Sequence, residues 1–353
     1  MPVVIAPAVA LPVHQVSTDE VLERMAQLYP DHPKLARAFE VIRATTVRTR
    51  WFTRPLSEQF RNGGSVRERT REHLRDCLEL AERAARATLR EAGLEPEQVS
   101  ALMVSSATGH TMPGLDIMLM ERLGIAPGAR RVPVTQMGCG GGAFAISMAA
   151  ELVMARPESN VLVVCADALS HYLHERDNGM DGMIFKGLVG DAAGACVVRD
   201  RSTGRHMEIV NSWNCLEVSA RDVVGTYMDN EGLHMYNSPA VTDAIRGLMP
   251  GLKEWLKSTA PAGEDGKLEF AVSHTGSPRV LERFAEGLEC SPEIFGPARD
   301  SLRDLGNLGS ASLLDTLERT FAKPPASGAR GVVFGVGPGI FLTAMQAIWR
   351  DDV

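Results

Sequence analysis

The side chain best suited to covalent chemistry is Cys139, in "VTQMGCGGGAFAISMAAEL" (134–152). It stands between Gly138 and the run Gly140, Gly141, Gly142, where a short apolar stretch gives way to a helix-like pattern. Two readings compete: a tight turn that holds a small residue, or a nucleophile presented at a helix N-terminus. In the second, the helix terminus and a neighbouring imidazole favour the thiolate. The glycines then permit an unusual turn and the close approach of a substrate.

An echo of this segment lies 168 residues on, as the separation of Cys139 from Asn307. "MVSSATG" (103–109) falls over "AVSHTGS" (271–277), and at the same offset "GCGGGA" (138–143) falls over "GNLGSA" (306–311). One offset that holds across two segments points to duplicated half-domains. The seam falls near "RDRSTGRH", which divides the chain into 1–202 and 203–353. Cys139 is then paired with Asn307, and His274 takes the strand-end position that Ser106 has in the first half. If the halves pack about a pseudo-twofold axis, Cys139, His274 and Asn307 converge. His274 would partner the thiolate and later donate to an oxyanion, and the Asn307 amide would donate where enolate charge develops. Together they suit acyl transfer onto sulfur followed by carbon–carbon bond formation. Singly, each has an ordinary structural role as a turn or strand-end residue. Their joint placement at duplicated positions favours chemistry.

The elements that must position these residues are legible. Ser65 caps a long amphipathic segment that ends near Gly93, with apolar residues at helical spacing. "VSALMVSSATG" reads as a buried strand running into a loop, "RRVPVTQM" as a strand, and "GGAFAISMAAELVMA" as a helix with no polar face, which belongs inside a large fold. "NVLVVCAD" and "GACVVRD" are further buried strands. This alternation predicts an α/β layered fold with covered sheets.

Bulk properties narrow the classes. At 353 residues the chain exceeds one small core, and 44% hydrophobic with 23% charged residues is an ordinary globular composition. A net charge of −7 argues against nucleic acid or an anionic membrane as partner. The apolar N-terminus lacks a basic region and is broken by Pro2, Pro7 and Pro12, so it reads as an opening strand or surface segment. No other stretch reads as long and apolar enough to cross a bilayer. Six cysteines without CxxC spacing suit neither zinc nor a disulfide framework, and predict a reducing cytoplasm. His171 and His174 lie three apart with no third ligand near in sequence, so no metal is expected.

"QMGC" followed by glycines, then "SHTGSPRVL", "LGNLGSAS" and "GVGPG", in that order and spacing, resemble the type III polyketide synthases, the chalcone-synthase-like members of the thiolase-fold superfamily. The resemblance runs from about Val3 to Met345. It implies a homodimer of the αβαβα thiolase fold with Cys139, His274 and Asn307 as a catalytic triad. It also implies coenzyme A esters, malonyl-CoA among them, as substrates and no other cofactor. The acyl chain would ride on Cys139, while His274 and Asn307 assist decarboxylation and condensation. Met112, in "TMPG", matches a residue that reaches into the partner's cavity, and Gly337 and Pro338 match a loop that scaffolds the site.

The chain also departs from the family pattern. Val189 and Met235 replace two gatekeeper phenylalanines at the junction of tunnel and cavity, which would widen the gate and remove aromatic surface. Ala107 and Gly309 stand at cavity-lining positions that often carry hydroxyls. Arg37 and Arg279 are candidates for coenzyme A phosphates. The expected product is a small pyrone or phenolic polyketide. A single-condensation or acyl-transferring enzyme of the ketoacyl synthase III kind shares the triad and stays open. So does a feeble paralogue that pairs with another synthase. A degradative thiolase is disfavoured, because "GVGPG" lacks the second cysteine those enzymes use.

Overall fold

The computed structural model describes residues 1–60, 65–230, 232–259 and 267–352. In chain order the strands and helices are β1 (Val3–Ala10), β2 (His14–Ser17), α1 (Thr18–Leu28), α2 (Leu35–Ala44), β3 (Thr49–Phe52), α3 (Val66–Ala92), β4 (Ala101–Ser105), α4 (Leu115–Leu123), β5 (Arg130–Val134), α5 (Gly141–Ala155), β6 (Val161–Ala168), α6 (Met180–Leu188) and β7 (Asp191–Arg199). There follow β8 (Gly204–Leu216), β9 (Val224–Met228), β10 (Leu233–Asn237), α7 (Val241–Ser258), β11 (Phe270–Ser273), α8 (Pro278–Leu288), α9 (Gly296–Leu305), α10 (Ser312–Ala322), β12 (Arg330–Gly337) and β13 (Phe341–Asp352).

Nine of these strands are hydrogen-bonded in the order β11-β12-β13-β8-β1-β7-β6-β4-β5. The pairings repeat on either side of the β8–β1 seam. From β1 outward, β7 and β6 join antiparallel and β4 joins parallel. From β8 outward, β13 and β12 join antiparallel and β11 joins parallel. Strand β5 extends the first set and has no partner in the second.

Side-chain alternation along these strands sorts the core into layers. Val161, Val163 and Cys165 of β6, with Val333 of β12 and Met345 of β13, pack on α5 and α10 in one central cluster. Leu162, Val164 and Ala166 point the other way, onto α3 and α4. Ala271, Val332, Phe334 and Leu342 face α7 and α8. Helices, sheet, helices, sheet, helices: this is the αβαβα thiolase fold. Strand β6 is buried along its whole length because both faces are covered.

Local signals explain several boundaries. Ser65 and Glu68 form a reciprocal capping box at the start of α3, and Gly93, at φ 64°, closes it in the left-handed region. The apolar N-terminus becomes β1, next to the seam. One expectation needs correcting: Gly138–Ala155 is long and apolar enough to span a membrane. In this fold it is the central-layer helix α5 with its leading turn, and it buries Ala143, Ile146, Ala149 and Val153 between the sheets.

Candidate active site

Two tight turns meet at the centre. Gly138–Gly140 forms a short 3-10 turn that runs into α5, and Gly309–Ala311 forms another that runs into α10. The two turns pack on each other. Gly138 adopts φ 50°, and a Cβ there would collide with the Pro338 ring. A Cβ at Gly140, Gly141 or Gly142 would press on Gly337, Ser105 or Ser310 respectively. These contacts correct one expectation. The glycines beside Cys139 admit neighbouring protein backbone and side chains, and the space they free is already occupied.

Cys139 is half-buried in its turn. Asn307 follows Gly306, which adopts φ 74°, and its backbone is bridged to Val189: Asn307 N–H donates to Leu188 O (2.9 Å) and Gly190 N–H donates to Asn307 O (3.0 Å). The Asn307 Oδ1 accepts from Gly309 N–H (2.9 Å), which leaves the amide NH2 for the sulfur of Cys139. His274 continues the line of β11 and donates its backbone N–H to Phe334 O (3.1 Å). Its ring bonds to the Gly309 backbone, while Nδ1 is buried without a partner. The side chains of Cys139 and His274 thus both reach the 307–309 turn.

Burial works against the expected thiolate. Burial pushes the Cys139 thiol up to about 12; the Asp167 carboxylate adds to the rise and the Asn307 bond opposes it. Burial pushes His274 down to about 4, against its bond to Gly309. Desolvation thus opposes both the thiolate and the imidazolium.

The group that ties the 309–311 turn to the segment after β4 is Asp167, at the end of β6 and wholly buried. Its Oδ1 accepts from Ala107 N–H (2.7 Å), Thr108 N–H (3.2 Å), Thr108 Oγ1 (3.0 Å) and Ser106 Oγ (3.3 Å). Its Oδ2 accepts from Ser310 N–H (2.7 Å) and Ser310 Oγ (2.6 Å). Burial raises its carboxyl, and the bonds from Ser310, Thr108 and Ala107 pull it down. A ring of donors suits the ionised form, which only accepts. Sequence reasoning missed Asp167. The available signal was an acid closing the unbroken apolar run "NVLVVCAD".

The other sequence-derived positions scatter. Val189 is 1% exposed beside Asn307, and half-buried Met235 on β10 packs against the same hydrophobic cluster. Ala107 is half-buried and held by Asp167. Gly309 sits at φ 61° against Asp167, so its missing side chain makes room for that carboxylate rather than for an open cavity. Gly337 and Pro338 press on the Cys139 turn. Met112 is 99% exposed in the loop between β4 and α4. Arg37 lies on α2, paired with Glu40 at 2.7 Å, both exposed. Exposed Arg279 lies in the first turn of α8, five residues past His274.

Two histidine expectations also change. His171 bonds Asp76 (2.8 Å) and Thr53 (3.2 Å), away from His174. His174 instead meets Asp177 and His234.

The depressed His274 sets a pH dependence. Between its unfolded value near 6.5 and about 4, the unfolded chain binds the extra proton, so stability falls as pH drops through this window. By pH 4.5 this one histidine is expected to cost roughly 2–3 kcal/mol. Urea unfolding of wild type and His274→Asn at pH 7.0 and about 4.5 checks it. Equal pH losses in both proteins would remove His274 as a source.

Comparison with known proteins bears on the whole chain. Residues 2–201 match the family described as chalcone and stilbene synthases, N-terminal domain. The chain is 31% identical over 350 residues to the 1,3,6,8-tetrahydroxynaphthalene synthase of Streptomyces coelicolor, covering 98% of this chain and 91% of that protein. It is 26% identical over 342 residues to the phloroglucinol synthase of Pseudomonas fluorescens, covering 97% of each. The crystal structure of the Streptomyces coelicolor enzyme, a bacterial type III polyketide synthase, superposes with a TM-score of 0.94 at 29% identity over 99% of both chains. With this fold, these paired turns and a family match that spans more than half its length, the chain belongs to the chalcone and stilbene synthase family and is a type III polyketide synthase, an acyltransferase that forms carbon–carbon bonds.

Proposed function

We propose that the enzyme loads an acyl group from a coenzyme A thioester onto Cys139 and extends it with malonyl-CoA. The observation that carries this is the packing of the Cys139 turn against the 309–311 turn, where the Asn307 side chain acts on the Cys139 thiol and the His274 ring meets the Gly309 backbone. In loading, Sγ attacks the thioester carbonyl, the carbon–sulfur bond to coenzyme A breaks, and the thiol proton leaves with the coenzyme A thiolate. In extension, malonyl-CoA loses carbon dioxide, and its enolate carbon attacks the acyl carbonyl and expels the Cys139 thiolate. The amide of Asn307 and the imidazole of His274 donate to the developing oxyanions. A neutral imidazole has one N–H, so His274 donates to the oxyanion by turning that N–H away from the Gly309 backbone. The extended chain is released or cyclised as a small phenolic or pyrone. Relatives named for tetrahydroxynaphthalene and phloroglucinol favour the phenolic outcome.

Coenzyme A thioesters are the only organic partners this scheme requires. Arg37 and Arg279 are the proposed contacts for coenzyme A phosphates; both are exposed, and Arg37 would have to leave Glu40. The exposed Met112 supports a homodimer in which each chain lends this loop to its partner. Light scattering is expected to give dimers, and a clean monomer would remove the shared cavity. The division at 202/203 is proposed on the repeated strand pairings.

Val189 and Met235 are the proposed gate. Val189→Phe is expected to shift the starter range toward small acyl-CoAs, read as relative turnover across a chain-length series. Because the position is almost wholly enclosed, the ring is also expected to cost about 1–3 kcal/mol of stability. An unchanged starter profile in a folded variant would take Val189 out of the gate.

The deciding experiment incubates the protein with malonyl-CoA and short, long and aromatic acyl-CoAs, following released products and mass shifts on the protein. Extended products establish the synthase reaction and its starter class. An acyl adduct on Cys139 with no extended product would favour the acyl-transferring or partner-dependent alternative.

A further inference from the structure

A second cluster lies away from the paired turns. Asp177 N–H donates to His174 O (3.2 Å), closing a turn ahead of α6 that presents both residues. The β9–β10 hairpin brings His234 over them. A ring nitrogen of each histidine and a carboxylate oxygen of Asp177 lie within 4.8 Å of one another. The histidine rings are 4.9 Å apart and nearly perpendicular.

Three details distinguish this from a chance surface grouping. His174 is 5% exposed, and its Nε2 has no hydrogen-bond partner, although a buried ring nitrogen is costly to leave bare. His234 is oriented from behind: its Nε2 meets Asp229 Oδ1 at 3.0 Å, and its ring stacks on Tyr227 at 4.9 Å. A carboxylate on the far nitrogen of a histidine is the usual outer support of a metal ligand. The free Nδ1 of His234 then stands 3.5 Å from Asp177 Oδ2, long for a hydrogen bond. It is close to the separation of about 3.4 Å between two ligands that each sit about 2.1 Å from one tetrahedral ion. The nearby Lys186 ammonium donates to the carbonyls of Asp177 and Gly182, not to the carboxylate.

We infer that His174, Asp177 and His234 form a binding site for a first-row divalent cation of the zinc class. Two imidazoles and one carboxylate suit such an ion and leave one position for water. The site joins the β9–β10 hairpin to the segment ahead of α6, and Asn237 N–H donating to Asp181 Oδ2 (3.3 Å) links the hairpin to α6 itself. The β9–β10 hairpin is a two-stranded ribbon outside the main sheet, and a lone ribbon is marginally stable. A bound ion would fasten it to the segment that leads into α6. Met235 follows His234, and Val189 follows α6, so on the function proposed above the ion would set the position of the gate.

The test titrates the full-length, chelator-treated protein with Zn²⁺ against a chromophoric chelator, and separately with Co²⁺ read by absorption. One equivalent per chain is expected, with a Co²⁺ spectrum of nitrogen and oxygen ligation. His234→Gln, Asp177→Asn and His174→Ala, each checked for native circular dichroism, are expected to bind at least tenfold more weakly. Should a histidine variant fail to fold, the milder Asp177→Asn carries the comparison. Two results would overturn the site: stoichiometric binding unchanged in the folded variants, or a thiolate-to-cobalt band that places the ion on a cysteine. Binding below one equivalent at micromolar metal would do the same. None of these readouts involves turnover. A chain that binds the ion yet condenses nothing leaves this site standing and sinks the proposed function instead.

Discussion

Cys139→Ala is expected to abolish polyketide formation, with a loss on the order of a thousandfold or more, because the acyl chain then has no sulfur to occupy. The substitution is sterically mild: alanine is smaller than cysteine, and the turn keeps its glycines and its contact with Pro338. A folded but inactive variant is therefore the expected material, recognisable by an unchanged circular dichroism spectrum. Two readouts accompany the loss. The acyl mass shift expected of wild type should vanish, since Cys77, Cys165 and Cys196 are buried and no role in loading is proposed for Cys215 or Cys290. Release of carbon dioxide from malonyl-CoA should persist at a reduced level, because His274 and Asn307 remain to stabilise the enolate. Undiminished product from the variant would end the assignment of Cys139. Loss of decarboxylation together with condensation would mean that the sulfur also helps to hold malonyl-CoA.

The second large effect concerns Asp167, which has no bond-making role in the proposed reaction. Asp167→Ala would remove the acceptor shared by the donors of Ser106, Ala107, Thr108 and Ser310 at a wholly buried position. Each buried donor left unpaired costs about 1–3 kcal/mol, so a total of at least about 3 kcal/mol is expected from denaturant unfolding. Turnover should fall as well, because Ser310 sits in the turn that carries Asn307. The milder Asp167→Asn separates structure from charge. It keeps an acceptor for some of these donors and removes the negative charge that helps push the Cys139 thiol up. Alkylation of Cys139 by iodoacetamide is thus expected to run faster in Asp167→Asn than in wild type at the same pH, while condensation slows. A purely packing role would lower both or neither. Opposite changes in thiol reactivity and turnover are the signature of a carboxylate that positions the site at an electrostatic cost. If alkylation slows in a well-folded Asp167→Asn, the charge is not acting on the sulfur.

These two cases differ in how visible they were beforehand. The proposed triad was legible in the chain, since Cys139 and Asn307 occupy matching places in a duplicated pattern, and His274 closes a strand in register with Ser106. Local rules also served well for α3, whose cap, apolar stripe and closing glycine are all written within thirty consecutive residues. The layered fold followed from strands with no polar face. In each instance the information lies in short-range spacing, where the period of a helix or strand acts directly on the residue pattern.

What the chain alone determined was therefore the class of fold and the family, and it singled out the side chains proposed to react. Tertiary structure decided the rest, for two physical reasons. Sites such as Asp167 with Ser310, or His174 with His234, join residues 143 and 60 positions apart, and no periodicity links them until the sheets close. Charge state depends on burial from all sides. The same Cys139 that looks like a ready thiolate at a helix terminus is pushed toward the thiol by burial in the closed fold, because removing water penalises the anion. The glycines beside it likewise changed meaning: their spacing announced a tight approach, and only the folded chain revealed that the approaching groups are Pro338, Gly337, Ser105 and Ser310.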